Sequence, residues 1–369
     1  MKILIPREDE LVERRVAITP DVVQKLKLLS FEVFFESGAG GEAGFFDGEY
    51  IQAGARNESE MDNFDILLSV DLNSHKKHFK KDLIAIGIMD PFNNSKLIDS
   101  LNSRSITSFA LDFIPRTTRA QYMDVLSSQA SLAGYRSVIE ASHFSNSAFP
   151  LMMTTAGTIP AAKVLVVGAG VAGLQAIATA KRLGAVVSAF DVRTSVKEQV
   201  ESLGAKFIEV ESDEKTDGVY AKEMSEQYKL AQEAKLKSVI SSQDIVITTA
   251  QIPGRPAPKI ITQDMLKLMK HNAIIIDLAS KSGGNCELTE HGNIVDFEGI
   301  RIISFENILN SIAYDASRMY AKNIAAFLEL LHNRMQENND ILSIDDEIIK
   351  STLITYEGRT VNTRLLEAL

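Results

Sequence analysis

One stretch, Lys163-Val164-Leu165-Val166-Val167-Gly168-Ala169-Gly170-Val171-Ala172-Gly173, constrains this chain more than any other. An apolar, β-branched run that ends in Gly-x-Gly-x-x-Gly and opens into Leu174 to Leu183 reads as strand, tight turn and helix. Gly168 permits the turn, Gly170 lets backbone approach a pyrophosphate, and Gly173 lets the helix lie close to its strand. Ala169 and Val171 belong to the same phosphate-facing turn. A diphosphate placed there meets unpaired N–H groups and roughly half a positive charge of helix dipole. A second strand, Val186 to Phe190, follows Gly184 and delivers Asp191. That acid stands 23 residues past Gly168, close to the ~20 expected of the residue that holds the adenosine ribose. Strand, glycines, helix, second strand and acid in this order predict a dinucleotide site.

Asp191 also bears on which dinucleotide binds. A carboxylate about 4 Å from a 2′-phosphate is repelled by ~4 kcal/mol per unit charge at an effective dielectric near 20, which favours NAD(H) over NADP(H). Val192 and Arg193 complete the strand end. An arginine here is able to accommodate a 2′-phosphate, but the acid in the ribose position leaves NAD(H) as the expectation.

At 369 residues the chain has room for two domains with substantial cores. A net charge of −10 argues against nucleic-acid affinity. The single cysteine, Cys286, excludes an internal disulfide and fits a reducing compartment. Met1 to Pro6 is too short for a signal peptide, and the apolar region Val164 to Ala180 is broken by three glycines, so no transmembrane segment is expected. The six histidines show no metal-ligand spacing, and no metal is expected. His75 and His78 lie in a basic run with Lys76, Lys77, Lys80 and Lys81 that reads as a solvated face.

The N-terminal part alternates strand-like and helix-like patterns: Lys2 to Ile5, a helix Pro20 to Leu29, then strands Glu32 to Phe35, Asp65 to Val70, Leu83 to Ile88 and Ser105 to Ala110. This order predicts a parallel sheet in its own α/β domain. A helix from Ser127 to Phe144 leads to the second domain, whose later strands are Lys206 to Glu209, Asp244 to Thr248, Ala273 to Asp277 and Arg301 to Ser304. A long helix, Ala316 to His332, returns the chain to the first domain, and Asn338 to Asp346 reads as a polar loop. The expected fold is thus two Rossmann-like domains with parallel sheets, a cleft between them and long linking helices: 1–126 plus 313–369, and 127–312 as the NAD(H)-binding domain.

Acid–base dyads are scarce. The densest polar stretch runs from Arg116 through Gln121, Asp124 and Ser127 to Gln129. Hydride transfer between two nicotinamides needs no proton donor; it needs rings held near ~3–3.5 Å, which carboxamide-binding side chains supply. The same composition also suits a capped loop. Three further segments fit a nucleotide cleft: Thr248 to Pro258 with Thr249 and Ala250, Asp277 to Glu287 with Leu278 and the pair Gly283-Gly284, and Asp217 to Lys222 with Tyr220.

Gly168 to Gly173 with Phe190-Asp191-Val192-Arg193, Val196 to Val200, Thr249 to Pro258, Gly283 to Cys286, and Pro6 to Pro20 with Arg14-Arg15-Val16-Ala17-Ile18-Thr19-Pro20 together resemble the NAD(H)-binding component of proton-translocating nicotinamide nucleotide transhydrogenase. The resemblance covers essentially the whole chain. It implies that Arg116, Gln121 and Asp124, with Ser127 following, contact the nicotinamide, and that Tyr220 is the tyrosine of a mobile loop. It further implies a homodimer working with an NADP(H)-binding beta subunit and a membrane-spanning alpha component, as in the three-polypeptide bacterial type, with cytoplasmic location at the inner membrane. One place departs: Ile308 to Ile312 stands where the family commonly has a Pro-Ser-Arg turn.

The nearest rival resemblance is alanine dehydrogenase, which shares Arg15 and the Val-Ala-Ile-Thr-Pro run. That chemistry needs a lysine, a histidine and an aspartate, whose places here hold Ser69, the histidine-free run Ile86 to Met89, and Lys281. A noncatalytic NAD(H) sensor is the third reading, and the Arg116, Gln121 and Asp124 set argues against it.

Overall fold

The computed structural model describes residues 1–58, 63–210, 226–252, 254–337 and 341–367. The chain divides into two compact units, Met1–Gln129 with Leu309–Leu369, and Ala130–Ile308.

The first unit holds an eight-stranded sheet in the order Arg359–Thr360, Leu353–Tyr356, Thr107–Ala110, Ile84–Ile88, Ile66–Asp71, Lys2–Ile5, Glu32–Phe35, Arg56–Asn57. Its six N-terminal strands run parallel and their apolar runs are buried on both faces, as helices on the two sides of a parallel sheet require. Ile3, Ile5, Val33, Phe35, Ile66 and Leu68 point to one side, where they meet Tyr320, Ile324, Phe327 and Leu331 of the helix Ala313–Glu337. Alternate residues Leu4, Phe34, Leu67 and Ala85 point to the other, against Leu97 and Leu101. Each such side chain contributes roughly 1.5–3 kcal/mol on burial, so a one-residue register slip that exchanged the faces is strongly disfavoured.

The second unit holds a seven-stranded sheet in the order Lys206–Phe207, Val186–Phe190, Lys163–Val167, Ile245–Thr248, Ile274–Asp277, Ile300–Ile303, Ile294–Phe297. Val164, Val166, Ile245 and Ile247 pack on Ala176, Ile177 and Ala180 of the helix Val171–Arg182, and Leu165, Val167 and Val246 pack on Leu236 and Ile240. From Lys163–Val167 the chain moves to the neighbour on one side, Val186–Phe190, and later fills the other side with Ile245–Thr248. Such a reversal opens a crevice at the carboxyl ends of those strands, the ordinary ligand position of an open α/β sheet.

Each sheet departs from the all-parallel expectation at an edge. Leu353–Tyr356 adds antiparallel to Thr107–Ala110 and turns back through Glu357-Gly358, and Ile294–Phe297 returns to Ile300–Ile303 through Glu298-Gly299. Both two-residue turns have positive φ at each position (48° and 76°; 52° and 81°), the geometry that matches hairpin twist. A third hairpin, Met152–Thr154 with Gly157–Ile159, belongs to neither main sheet. The Ile308–Ile312 segment forms a 3-10 turn, and Asn310 ties it down by accepting the Arg14 N–H at 2.9 Å and donating to the Val12 carbonyl at 3.0 Å.

The solvated-face expectation fails for the two histidines. His75 is 1% exposed, with Nε2 2.8 Å from Glu8 Oε2, and His78 Nε2 lies 3.1 Å from Glu36 Oε1. Lys76 and Lys77 do face solvent. The segment crosses the end of Ile66–Asp71, where Glu8 also accepts the Val70 N–H at 2.6 Å, so the histidines turn inward to the acids. Burial pushes the Glu8 carboxyl up from its ordinary range, against the His75 hydrogen bond.

Candidate functional site

The glycine turn in the second unit is fixed by backbone contacts that leave no choice of residue. Gly168 has φ +97°, and a Cβ there falls 2.6 Å from Thr249 Oγ1. A Cβ on Gly173 falls 1.8 Å from the Gly168 carbonyl oxygen, so only hydrogen lets the helix begin this close to its strand. Gly170 differs: φ is −78° and nothing lies within 4 Å of a Cβ built on it. Gly170 is also the N-cap of Val171–Arg182, without a side-chain cap. The first-turn N–H groups of that helix therefore look into open space and need an outside acceptor. Ala169 is buried, whereas Val171 is 41% exposed.

Asp191 closes the turn from the neighbouring strand end. Its Oδ2 accepts the Ala169 N–H at 2.7 Å, and the Arg193 guanidinium lies across the carboxylate. Val192 is half-buried beside it. Thr249 donates to the Gly168 carbonyl at 3.0 Å, and the Leu278 N–H reaches the Thr248 carbonyl at 3.0 Å. The loops after four adjacent strands thus meet: Gly168 to Gly173, Asp191 to Arg193, Thr249 and Ala250, and Leu278.

Asn285, which pattern reading missed, ties two of these loops. It is fully buried, its Oδ1 accepts the Ala250 N–H at 2.9 Å, and its Nδ2 donates to the carbonyls of Ala250 and Pro258 at 2.8 and 2.9 Å. Asp277 holds Asn285 in turn, accepting from the Asn285 and Cys286 N–H groups and from Thr289 Oγ1 at 2.7, 3.1 and 2.6 Å. Of the paired glycines, Gly284 is packed against Thr289 and Asp277, while Gly283 has open space around it. The Cys286 thiol is pushed up to about 11 by burial, so it has little thiolate character near neutral pH.

The polar stretch lies in the first unit. Asp124 precedes the helix Val125–Phe144 and caps it, accepting the Ser127 N–H at 2.9 Å and the Ser127 hydroxyl at 2.5 Å. Arg116 and Gln121 are exposed. Gln129 is 7% exposed and already committed: it accepts from Arg15 Nη1 at 2.8 Å and donates to the Ala316 carbonyl at 3.1 Å. Arg15 gives its other donors to Glu13, at 2.8 and 2.6 Å. Tyr220 lies outside the described residues. Among the described residues no group of acids, histidines and cysteine is arranged to hold a metal, and no helix is long and apolar enough to cross a membrane.

Two domain families cover almost all of this architecture. The one described as "Alanine dehydrogenase/PNT, N-terminal domain" matches residues 4–133, and the one described as "Alanine dehydrogenase/PNT, C-terminal domain" matches residues 137–363. An NAD(P) transhydrogenase alpha subunit of Rhodospirillum rubrum is 45% identical, over 99% of this chain and 99% of its own length. The crystal structure of transhydrogenase from Sinorhizobium meliloti is 45% identical with a TM-score of 0.89, covering 98% of this chain and 100% of that one. Alanine dehydrogenase 2 of Staphylococcus aureus is more distant, 29% identical over 79% of this chain and 75% of its own. The chain therefore belongs to the alanine dehydrogenase/PNT family and, within it, to the NAD(P) transhydrogenase alpha subunits.

Proposed function

We propose that this chain binds NADH and delivers its hydride directly to NADP⁺ held by a partner beta subunit, while a separate membrane-spanning alpha component moves protons. The observation that carries the reading is the open, uncapped helix start at Gly170 beside a buried, oriented Asp191. The diphosphate is assigned to the N–H groups following Gly170, the adenosine ribose to Asp191, and the surrounding wall to Val192, Thr249, Ala250 and Leu278. Arg116, Gln121, Asp124 and Ser127 are assigned to the nicotinamide carboxamide; contact of one ligand with both sets belongs to the proposal. Gln129 joins them only by exchanging its present bonds, and Tyr220 is assigned to the loop that covers the nucleotide.

What these residues do is bind, orient and exclude water; the nicotinamide supplies the hydride, and the transfer asks for no proton donor. An amino-acid dehydrogenase reading has less support. Ser69 is buried with its hydroxyl unpartnered, and Arg15 is held by Glu13 and Gln129 rather than open to a substrate carboxylate. A homodimer is supported by the hairpin Met152–Thr154 with Gly157–Ile159, whose Met153 and Ile159 are 81% and 43% exposed. Peripheral attachment to the inner membrane follows from the proposed partners.

Fluorescence titration of the chain tests the ligand. The parent is expected to bind NADH at least about tenfold tighter than NADPH, given the ~4 kcal/mol repulsion a 2′-phosphate meets at Asp191. Asp191→Asn is expected to weaken NADH on the order of tenfold and to narrow the gap. Equal affinity of the unaltered chain for the two nucleotides contradicts the assignment.

A further inference from the structure

Asp191 has no acceptor capacity to spare. The Ala169 N–H donates to Oδ2 at 2.7 Å and the Arg193 N–H to Oδ1 at 2.9 Å; Arg193 Nε and Nη2 then donate to Oδ1 and Oδ2, each at 2.9 Å. A carboxylate offers about four acceptor directions, and all are filled. The two side chains are only 6% and 16% exposed, so solvent weakens this pair little.

The four donors are not equally replaceable. Two are backbone groups, fixed by the glycine turn and by the turn that follows Val186–Phe190; neither leaves without rebuilding the crevice. The other two sit on a guanidinium at the end of a flexible stem. A ribose diol that donates to Asp191 must therefore displace the Arg193 side chain.

We propose that Arg193 is an intramolecular stand-in for the ribose diol, competing with NADH for Asp191 and, once displaced, serving as the cation within reach of a 2′-phosphate. The inference rests on NADH being the ligand of this crevice. It makes Arg193 a specificity-determining residue whose presence costs NADH affinity and lowers the discrimination against NADPH. An acid alone in this position repels a 2′-phosphate; an acid with a releasable arginine partly compensates that repulsion.

Arg193→Ala and Arg193→Met, the second keeping an apolar stem, are titrated with NADH and NADPH beside the parent chain, each also in the Asp191→Asn background. Both variants are expected to bind NADH more tightly, on the order of tenfold. NADPH gains less, so the preference for NADH widens. With Asp191→Asn the neutral amide no longer holds the guanidinium, and the gain from removing Arg193 shrinks to less than twofold. Unchanged or weaker NADH binding in the variants, with the thermal midpoint near that of the parent, overturns the role given to Arg193; so does an equal gain in the Asp191→Asn background. A parent chain that binds no NADH overturns the nucleotide reading itself, which separates the two failures.

Discussion

Gly170→Ala is expected to fold with the stability of the parent chain and to lose NADH affinity by about a hundredfold, whereas Gly173→Ala is expected to lose stability. The contrast follows from where each new methyl falls. At Gly170 it enters empty space at an ordinary φ of −78°, so the apoprotein meets no clash. That space is where the proposal puts the pyrophosphate, and excluding it removes several charge-assisted hydrogen bonds, each worth about 1.5–3 kcal/mol. At Gly173 the methyl falls 1.8 Å from a backbone oxygen, and separating helix from strand costs about 3 kcal/mol. Urea denaturation and NADH titration of both variants read the two effects separately. A Gly170→Ala chain with parental affinity removes the diphosphate from this turn.

Gln121→Ala is expected to slow hydride transfer in the reconstituted complex about a hundredfold while changing NADH affinity only a few-fold, since misplacing a reacting ring by about 1 Å has that effect on rate. Gln121 is exposed, and truncating a surface side chain changes stability by only about 0.5 kcal/mol, so a rate loss there reports on the reaction rather than on folding. Asp124→Ala is expected to give the same rate loss together with a lower melting temperature, because it also removes the helix cap on Ser127, worth about 1 kcal/mol. Single-turnover kinetics beside thermal melts separate the two. Normal transfer by both variants makes the stretch a structural loop only.

The elements of both parallel sheets were legible because a strand buried on both faces reads as a near-continuous apolar run. Lys2–Ile5, Glu32–Phe35 and Val186–Phe190 fall where the pattern puts them, and the others within a few residues. The antiparallel edges were not, although Glu357-Gly358 and Glu298-Gly299 are the local signal: a residue and a glycine with positive φ between short β-branched runs. Around the crevice, Gly168 to Gly173 and Asp191 stand out because backbone geometry dictates the residue. Asn285 does not, since its partners Ala250 and Pro258 are distant in sequence and an asparagine beside glycines reads as any loop. The same reason hid the inward turn of His75: its partner Glu8 lies 67 residues away, and no local pattern announces the pair.

The central claim is direct transfer between two bound nicotinamides, and the most direct measurement follows the hydride itself. NADH carrying deuterium on the transferring carbon is mixed with this chain, its NADP(H)-binding partner and NADP⁺, and the products are analysed by mass spectrometry and NMR. The deuterium is expected on the NADPH carbon, with none entering water. Deuterium released to solvent, or NADPH formed without the label, contradicts direct transfer.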